Sequence, residues 1–203
     1  MELTDKNTNR FCLIVAGTIT PPELKNLITE NYPGILEETQ KAGYSILYCE
    51  KSEMGSLMHY SKNDYETQQN QWSFNTAKAD TTFSKSGQAS FFVDSLAIYA
   101  STWKIKPYEA NFTKGQKIGI SLYVKPEKLE TSSVAFQVVR EDKTYIWKTL
   151  PIKPFICKPT EWNKFFWNFE FTEDFLPNDE IKIFVWNPSK DQFRIDDFEI
   201  RIK

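Results

Sequence analysis

Two groups of side chains in this sequence could do chemistry. One is a pair of adjacent carboxylates, Asp196 and Asp197. The other is a high stock of rings, 16 Phe, 9 Tyr and 6 Trp in 203 residues. A carboxylate can act as acid, base or hydrogen-bond acceptor, and a ring can fill a core or offer its face to C–H groups. Acid–base work by paired carboxylates needs two acids facing each other across a cleft, which sequence alone neither gives nor excludes. The common catalytic signatures are absent. His59 is the single histidine, no Gly-x-Ser-x-Gly or Walker-type loop occurs, and no Cys or Ser stands beside a base in a recognisable motif. The expectation is a chain that binds rather than one that catalyses.

The elements that position these groups are mostly strands. In the last segment, Phe198, Ile200 and Ile202 fall on one face and Asp197, Glu199 and Arg201 on the other, the period of a half-buried strand. From about residue 64 the same pattern recurs between Gly, Pro, Lys and Asn turns. It predicts nine strands, near 71–76, 89–94, 97–103, 117–124, 134–140, 144–149, 164–171, 181–186 and 194–202, and hence a β-sandwich. Residues 9–52 read as strand, helix, strand. Phe11–Ala16 is a buried strand, and Thr20-Pro21-Pro22-Glu23 opens a helix with Leu24, Leu27 and Ile28 as its apolar stripe. A short helical piece follows the Tyr32-Pro33-Gly34 break through Glu38, and Tyr44–Cys49 is the second strand. The fold class expected is mainly β: residues 1–62 form a small α/β unit that includes a joint at 54–63, and residues 63–203 form a jelly-roll sandwich.

Charge decides little, because 25 Lys and Arg against 27 Asp and Glu leave a formal net charge of −2. No footprint for nucleic acid or an anionic membrane follows. Cys12, Cys49 and Cys157 lack the paired short spacing of a zinc site. A single disulfide between the first two and three buried free thiols are the two readings they allow. No export signal is visible, and the run from Phe11 to Ala16 is too short to span a bilayer.

Alternation also sorts the rings. In 117–124, Ile118, Ile120, Leu122 and Val124 share a face and leave Tyr123 on the other. In 181–186, Ile181, Ile183 and Val185 leave Phe184, Trp186 and Lys182 opposite. Val134, Phe136 and Val138 leave Gln137 outward, Tyr99 and Trp103 share a face, and so do Tyr145 and Trp147. Rings set among amide and charged groups suit a saccharide, whose C–H faces stack on aromatic planes while its hydroxyls take hydrogen bonds. The candidate carbohydrate-binding residues are therefore Tyr99, Trp103, Tyr123, Gln137, Trp147, Phe184 and Trp186. A rival reading stays open, in which residues 1–62 seal that face and the sandwich serves as an interaction or scaffold domain. Trp162, before a strand, is either a loop-borne ligand ring or a plug at the end of the sandwich.

Asp64-Tyr65-Glu66 followed by Trp72, then Ser86-Gly87-Gln88-Ala89-Ser90, and finally Ile195-Asp196-Asp197-Phe198 resemble the frame of jelly-roll carbohydrate-binding modules of the galactose-binding-domain-like type. The resemblance covers residues 63–203. It implies a non-catalytic module whose partner is a glycan, with a structural calcium ion held by Glu66, Ser86 and Asp196 or Asp197. Two carboxylates would offset the charge of such an ion and pin the chain ends together. The alternative is that these carboxylates are solvated or accept main-chain N–H groups. Residues 11–17, 20–23, 32–33 and 43–48 resemble the soluble tail that follows the transmembrane region of some bacterial membrane-embedded glycosyltransferases of the dolichyl-phosphate-mannose-dependent kind. That likeness implies an extracytoplasmic, periplasmic or cell-surface accessory domain of a larger parent protein, without membrane insertion of its own.

Overall fold

A computed structural model describes residues 10–16, 34–41, 44–50, 59–67, 69–110 and 112–203, the first three stretches as backbone only. The chain divides into two compact units, Met1–Ser56 and Leu57–Lys203. In the first, β1 (Arg10–Ala16), β2 (Gly34–Lys41) and β3 (Tyr44–Glu50) form an antiparallel sheet in the order β1-β3-β2. Two of these strands are the expected ones. The third, β2, stands where a short helical piece through Glu38 was expected. Its pairing from Gly34↔Glu50 to Lys41↔Tyr44 closes the free edge of β3, and ladder hydrogen bonds of that extent override the helix preference of Leu36-Glu37-Glu38. The helix expected from Thr20 lies outside the described residues, as do the side chains of Cys12 and Cys49. Cys157 is half-buried.

The second unit is a β-sandwich. One sheet has the order β11-β10-β13-β8-β5, built from Lys143–Pro151, Ser133–Arg140, Glu180–Trp186, Tyr99–Ile105 and Trp72–Ser73. The other runs β12-β9-β14-β7-β6, from Asn163–Glu170, Lys117–Lys128, Gln192–Ile202, Ser90–Val93 and Ala79–Asp80. A further strand, β4 (His59–Asn63), pairs with β14. β4 lies within the stretch expected as a joint and runs antiparallel to the closing strand from Asn63↔Phe198 to His59↔Ile202. The alternation read from the sequence holds in the long strands: Ile118, Ile120, Leu122 and Val124 of β9 and Val134, Phe136 and Val138 of β10 are buried between the layers. Phe91, Phe165, Phe171, Phe193 and Phe198 complete that core.

Of the register shifts in the sandwich, two bear on the placement of the candidate residues. In β8 the register shifts at Ser101, which holds φ at 45°. An extra residue turns every side chain beyond it to the other face. Tyr99 and Trp103, four apart and expected together, therefore part company: Tyr99 is 65% exposed and Trp103 is fully buried. A hydrogen bond between the Ser101 hydroxyl and the buried Tyr65 hydroxyl, 2.7 Å, pins the bulge. In β14 the register shifts between Asp196 and Glu199, with Asp197 at φ 48°. Phe193 and Ile195 before this point and Phe198, Ile200 and Ile202 after it all point inward. The parity break between Ile195 and Phe198 marks this bulge in the sequence itself.

Candidate functional site

The outward face of the five-stranded sheet collects four rings from three strands. Strand pairing sets Trp186 opposite both Tyr99 and Ser133, Phe184 opposite both Thr102 and Ala135, and Gln137 between Trp147 and Lys182. Trp147 on β11 and Trp186 on β13 are separated by β10, yet their ring centroids stand 5.6 Å apart, edge to face. They meet because β10 carries only Ala135 and Ser133 between them, both buried beneath the rings. Large side chains there would hold the rings apart. Trp147 also reaches Phe184 at 5.6 Å, and Phe184 reaches Tyr99 at 5.6 Å in a T-shaped contact. Tyr99, Phe184, Trp147 and Trp186 thus form one continuous strip across the sheet.

Exposure differs along the strip in a useful way. Phe184 is buried as its floor and Trp186 is half-buried, while Tyr99 and Trp147 are 65% and 41% exposed. Polar groups edge it. The Gln137 amide donates from Nε2 to the Thr144 hydroxyl at 2.7 Å, which fixes its orientation, and Thr102 and Thr149 lie on the same rows. At the β11 end, the Arg140 guanidinium covers the Tyr145 ring at 3.7 Å and bonds Asp179 through Nε and Nη2 at 2.9 and 2.8 Å. That pairing holds the Asp179 carboxyl below its ordinary range.

Two of the expected sugar-binding residues are not on this strip. Trp103 belongs to the core for the reason given above, with the His59 ring 5.7 Å away. Tyr123 lies on β9 in the other sheet, where the Lys85 and Lys164 ammonium groups stand 4.7 and 5.8 Å from its ring centre. Alternation correctly turned Tyr123 outward, but which sheet a strand joins is a matter of topology that no period reveals. The structure brings together Tyr99, Gln137, Trp147, Phe184 and Trp186 of the seven. Ala135 and Ser133, whose smallness lets the rings touch, were missed because their role depends on strand order. Trp162 is half-buried in the turn before β12.

By chain path, the sandwich is similar to solved carbohydrate-binding modules. With the CBM22-1 xylan-binding domain of Paenibacillus barcinonensis Xyn10C the TM-score is 0.46 at 13% identity, over 74% of this chain and 97% of that one. With the C-terminal family 22 carbohydrate-binding module of Clostridium thermocellum Xyn10B it is 0.48 at 15% identity, over 74% and 96%. The enzymatically active domain of bacteriophage CBA120 tailspike protein 4 gives 0.40 at 8% identity, over 71% of this chain and 18% of that one. No family model and no curated protein matches the sequence.

The four residues expected around an ion do converge, at the turn that leads into β7. Glu66 Oε1 accepts the main-chain N–H groups of Gln88 and Ala89 at 2.7 and 2.8 Å. Asp196 Oδ2 accepts those of Lys85 and Ser86 at 2.7 and 3.2 Å, and its Oδ1 that of Asp197 at 2.7 Å. Asp197 Oδ1 takes the Ser86 hydroxyl at 2.7 Å and the Lys62 ammonium at 2.6 Å. Gly87, at φ 60°, lets the turn close over Glu66; a Cβ there would stand 2.3 Å from Oε1. Four carboxylate oxygens, Glu66 Oε1, Asp196 Oδ1 and Oδ2, and Asp197 Oδ1, thus face hydrogens, and among the described residues no group of three His, Cys, Asp or Glu is arranged to hold a metal ion. In this arrangement those four oxygens accept hydrogens where a calcium ion would draw on oxygen lone pairs. Burial pushes the Asp196 carboxyl up to about 6, against the three N–H groups that favour its charge, and the neighbouring Asp197 adds to the rise.

Proposed function

We propose that this chain is a non-catalytic carbohydrate-binding module whose ligand stacks on the outer face of the five-stranded sheet. One observation carries the reading: a continuous strip of four rings, two of them well exposed, beside an amide already fixed in place. Exposed rings that meet edge to face present an uneven apolar surface with polar groups a row away. A pyranose offers the complement, C–H faces bordered by hydroxyls, and a platform that needs no reordering keeps the entropic cost of binding low. The glycan contacts assigned are Tyr99, Trp147 and Trp186, with Phe184 as the floor and Gln137 at the edge.

The turn around Glu66, Ser86, Asp196 and Asp197 acts as a hydrogen-bonded staple, in which carboxylates and main-chain N–H groups join the closing strand to the turn before β7. As an accessory domain the module would hold a parent protein near its glycan, in the extracytoplasmic setting that the N-terminal resemblance suggests. The test is a glycan-array screen of the full chain beside Trp147→Ala and Tyr99→Ala. The xylan named for one of the similar modules places xylo-oligosaccharides among the probes. Binding that is lost in both variants supports the reading. Binding that survives both, or no binding by the parent chain, contradicts it and favours an interaction domain.

A further inference from the structure

The row of outward residues next to the ring strip runs Trp147, Gln137, Lys182 and Lys104 across four strands. Lys182 and Lys104 sit directly opposite each other on β13 and β8, one row from Phe184 and Thr102. Like charges in directly opposed positions of an antiparallel pair repel and weaken the sheet. A single carboxylate offsets them: Glu180, two positions along β13 on the same face, bonds Lys182 at 2.9 Å. Lys104 is exposed and has no carboxylate partner among the described residues. The row therefore carries an uncompensated positive charge in a chain whose formal net charge is −2.

Resting on the carbohydrate-binding reading above, we propose that the ligand is an acidic glycan, with its carboxylate or sulfate groups held by Lys104 and Lys182 while its sugar rings stack on the strip. The spacing suits this. Successive outward rows of a strand lie about 7 Å apart, so a sugar seated on Phe184 directs its substituents to the neighbouring row, which holds Trp147 and the lysines, within reach of flexible ammonium groups. A neutral saccharide would be served by amides such as Gln137 and would leave the repulsion between the lysines in place. An anion between them removes it and gains charge-assisted hydrogen bonds.

The experiment is calorimetric titration of the full chain with matched pairs of oligosaccharides. Glucuronate- and galacturonate-bearing oligomers are set against their carboxyl-reduced forms, and a sulfated oligomer against its unsulfated form. At low salt the acidic member of at least one pair binds roughly three- to tenfold more tightly, the range expected of two exposed ion pairs. Which pair shows the preference separates uronate from sulfate as the source. The preference shrinks toward unity in 0.5 M salt and in Lys104→Gln/Lys182→Gln. Melting of the double variant checks its fold; single Lys104→Gln, which removes only the uncompensated charge, gives the same comparison if the double variant is destabilised. Equal binding of both members of every pair overturns the acidic class and leaves the platform standing. Binding by no oligosaccharide overturns the platform as well, and an undiminished preference in the lysine variants overturns their role.

Discussion

The two outer faces of the sandwich both carry rings, and they treat them in opposite ways. On the six-stranded sheet, cations stand over the rings. Lys85 and Lys164 cover Tyr123, Lys125 and Arg194 cover Phe83, and Arg194 also covers Phe92. Arg194 is itself tied to Asp80 at 2.5 Å and to Glu127, so that face is closed by its own ion pairs. On the five-stranded sheet, Tyr145 under Arg140 aside, the rings of the strip cover one another and leave Tyr99 and Trp147 in solvent. A ring already paired with a cation has spent its electron-rich face, whereas a ring in edge-to-face contact keeps one for a ligand. The lesson is that outward orientation makes a ring visible, and only its neighbours decide whether it is available.

The sharpest way to break that comparison uses Trp103 and Trp147, two tryptophans that the sequence alone made candidate ligand rings. Trp103→Ala should lower the unfolding free energy by about 3–5 kcal/mol, because it empties a core position. Trp147→Ala should change stability little and weaken glycan binding roughly tenfold to a hundredfold, the cost of losing an exposed anchor ring. Denaturant unfolding and calorimetry on both variants separate the two effects. A Trp147 variant as unstable as the Trp103 one would erase the difference between core ring and ligand ring.

A smaller effect concerns the staple. Because the Asp196 carboxyl rises to about 6 in the folded state, the folded protein holds its proton more tightly than the unfolded chain does. Stability from this group is therefore lost as pH climbs from about 4 through about 6, by up to about 3 kcal/mol. Asp179, held down by Arg140, acts in the opposite sense and loses its contribution only as pH falls below the ordinary carboxylate range. Unfolding curves from pH 4 to 7 should show the decline in the parent chain and not in Asp196→Asn. Smaller again, Tyr65→Phe removes the hydroxyl that pins the Ser101 bulge and should cost about 1 kcal/mol. Glycan affinity should fall with it, because the bulge sets the direction of Tyr99. The smallest expected effect is none at all: full removal of divalent cations with a chelator should leave the melting temperature unchanged. A drop that calcium alone restores would replace the hydrogen-bonded staple with an ion.

Much of this was legible in the sequence. Alternation in 117–124, 134–140 and 181–186 found the strands, their inward faces and two members of the ring strip, Phe184 and Trp186, with Gln137 at its edge. The bulge in β14 could also have been read, since inward residues change parity between Ile195 and Phe198. The bulge in β8 could not, because a left-handed Ser101 leaves no compositional mark and its support, Tyr65, comes from a distant loop. Strand order was equally hidden, and with it both the misplacement of Tyr123 and the part played by Ala135 and Ser133. The β2 strand escaped because its partner, rather than its composition, makes it extended.

The most direct test of the glycan platform follows the six tryptophan indole N–H signals by NMR during titration with an oligosaccharide that binds. The signals of Trp147 and Trp186 should move together and saturate, while those of the buried Trp72 and Trp103 stay in place. Saturating shifts confined to Trp162 or Trp167, with Trp147 and Trp186 unmoved, would contradict the account and put the ligand elsewhere on the sandwich.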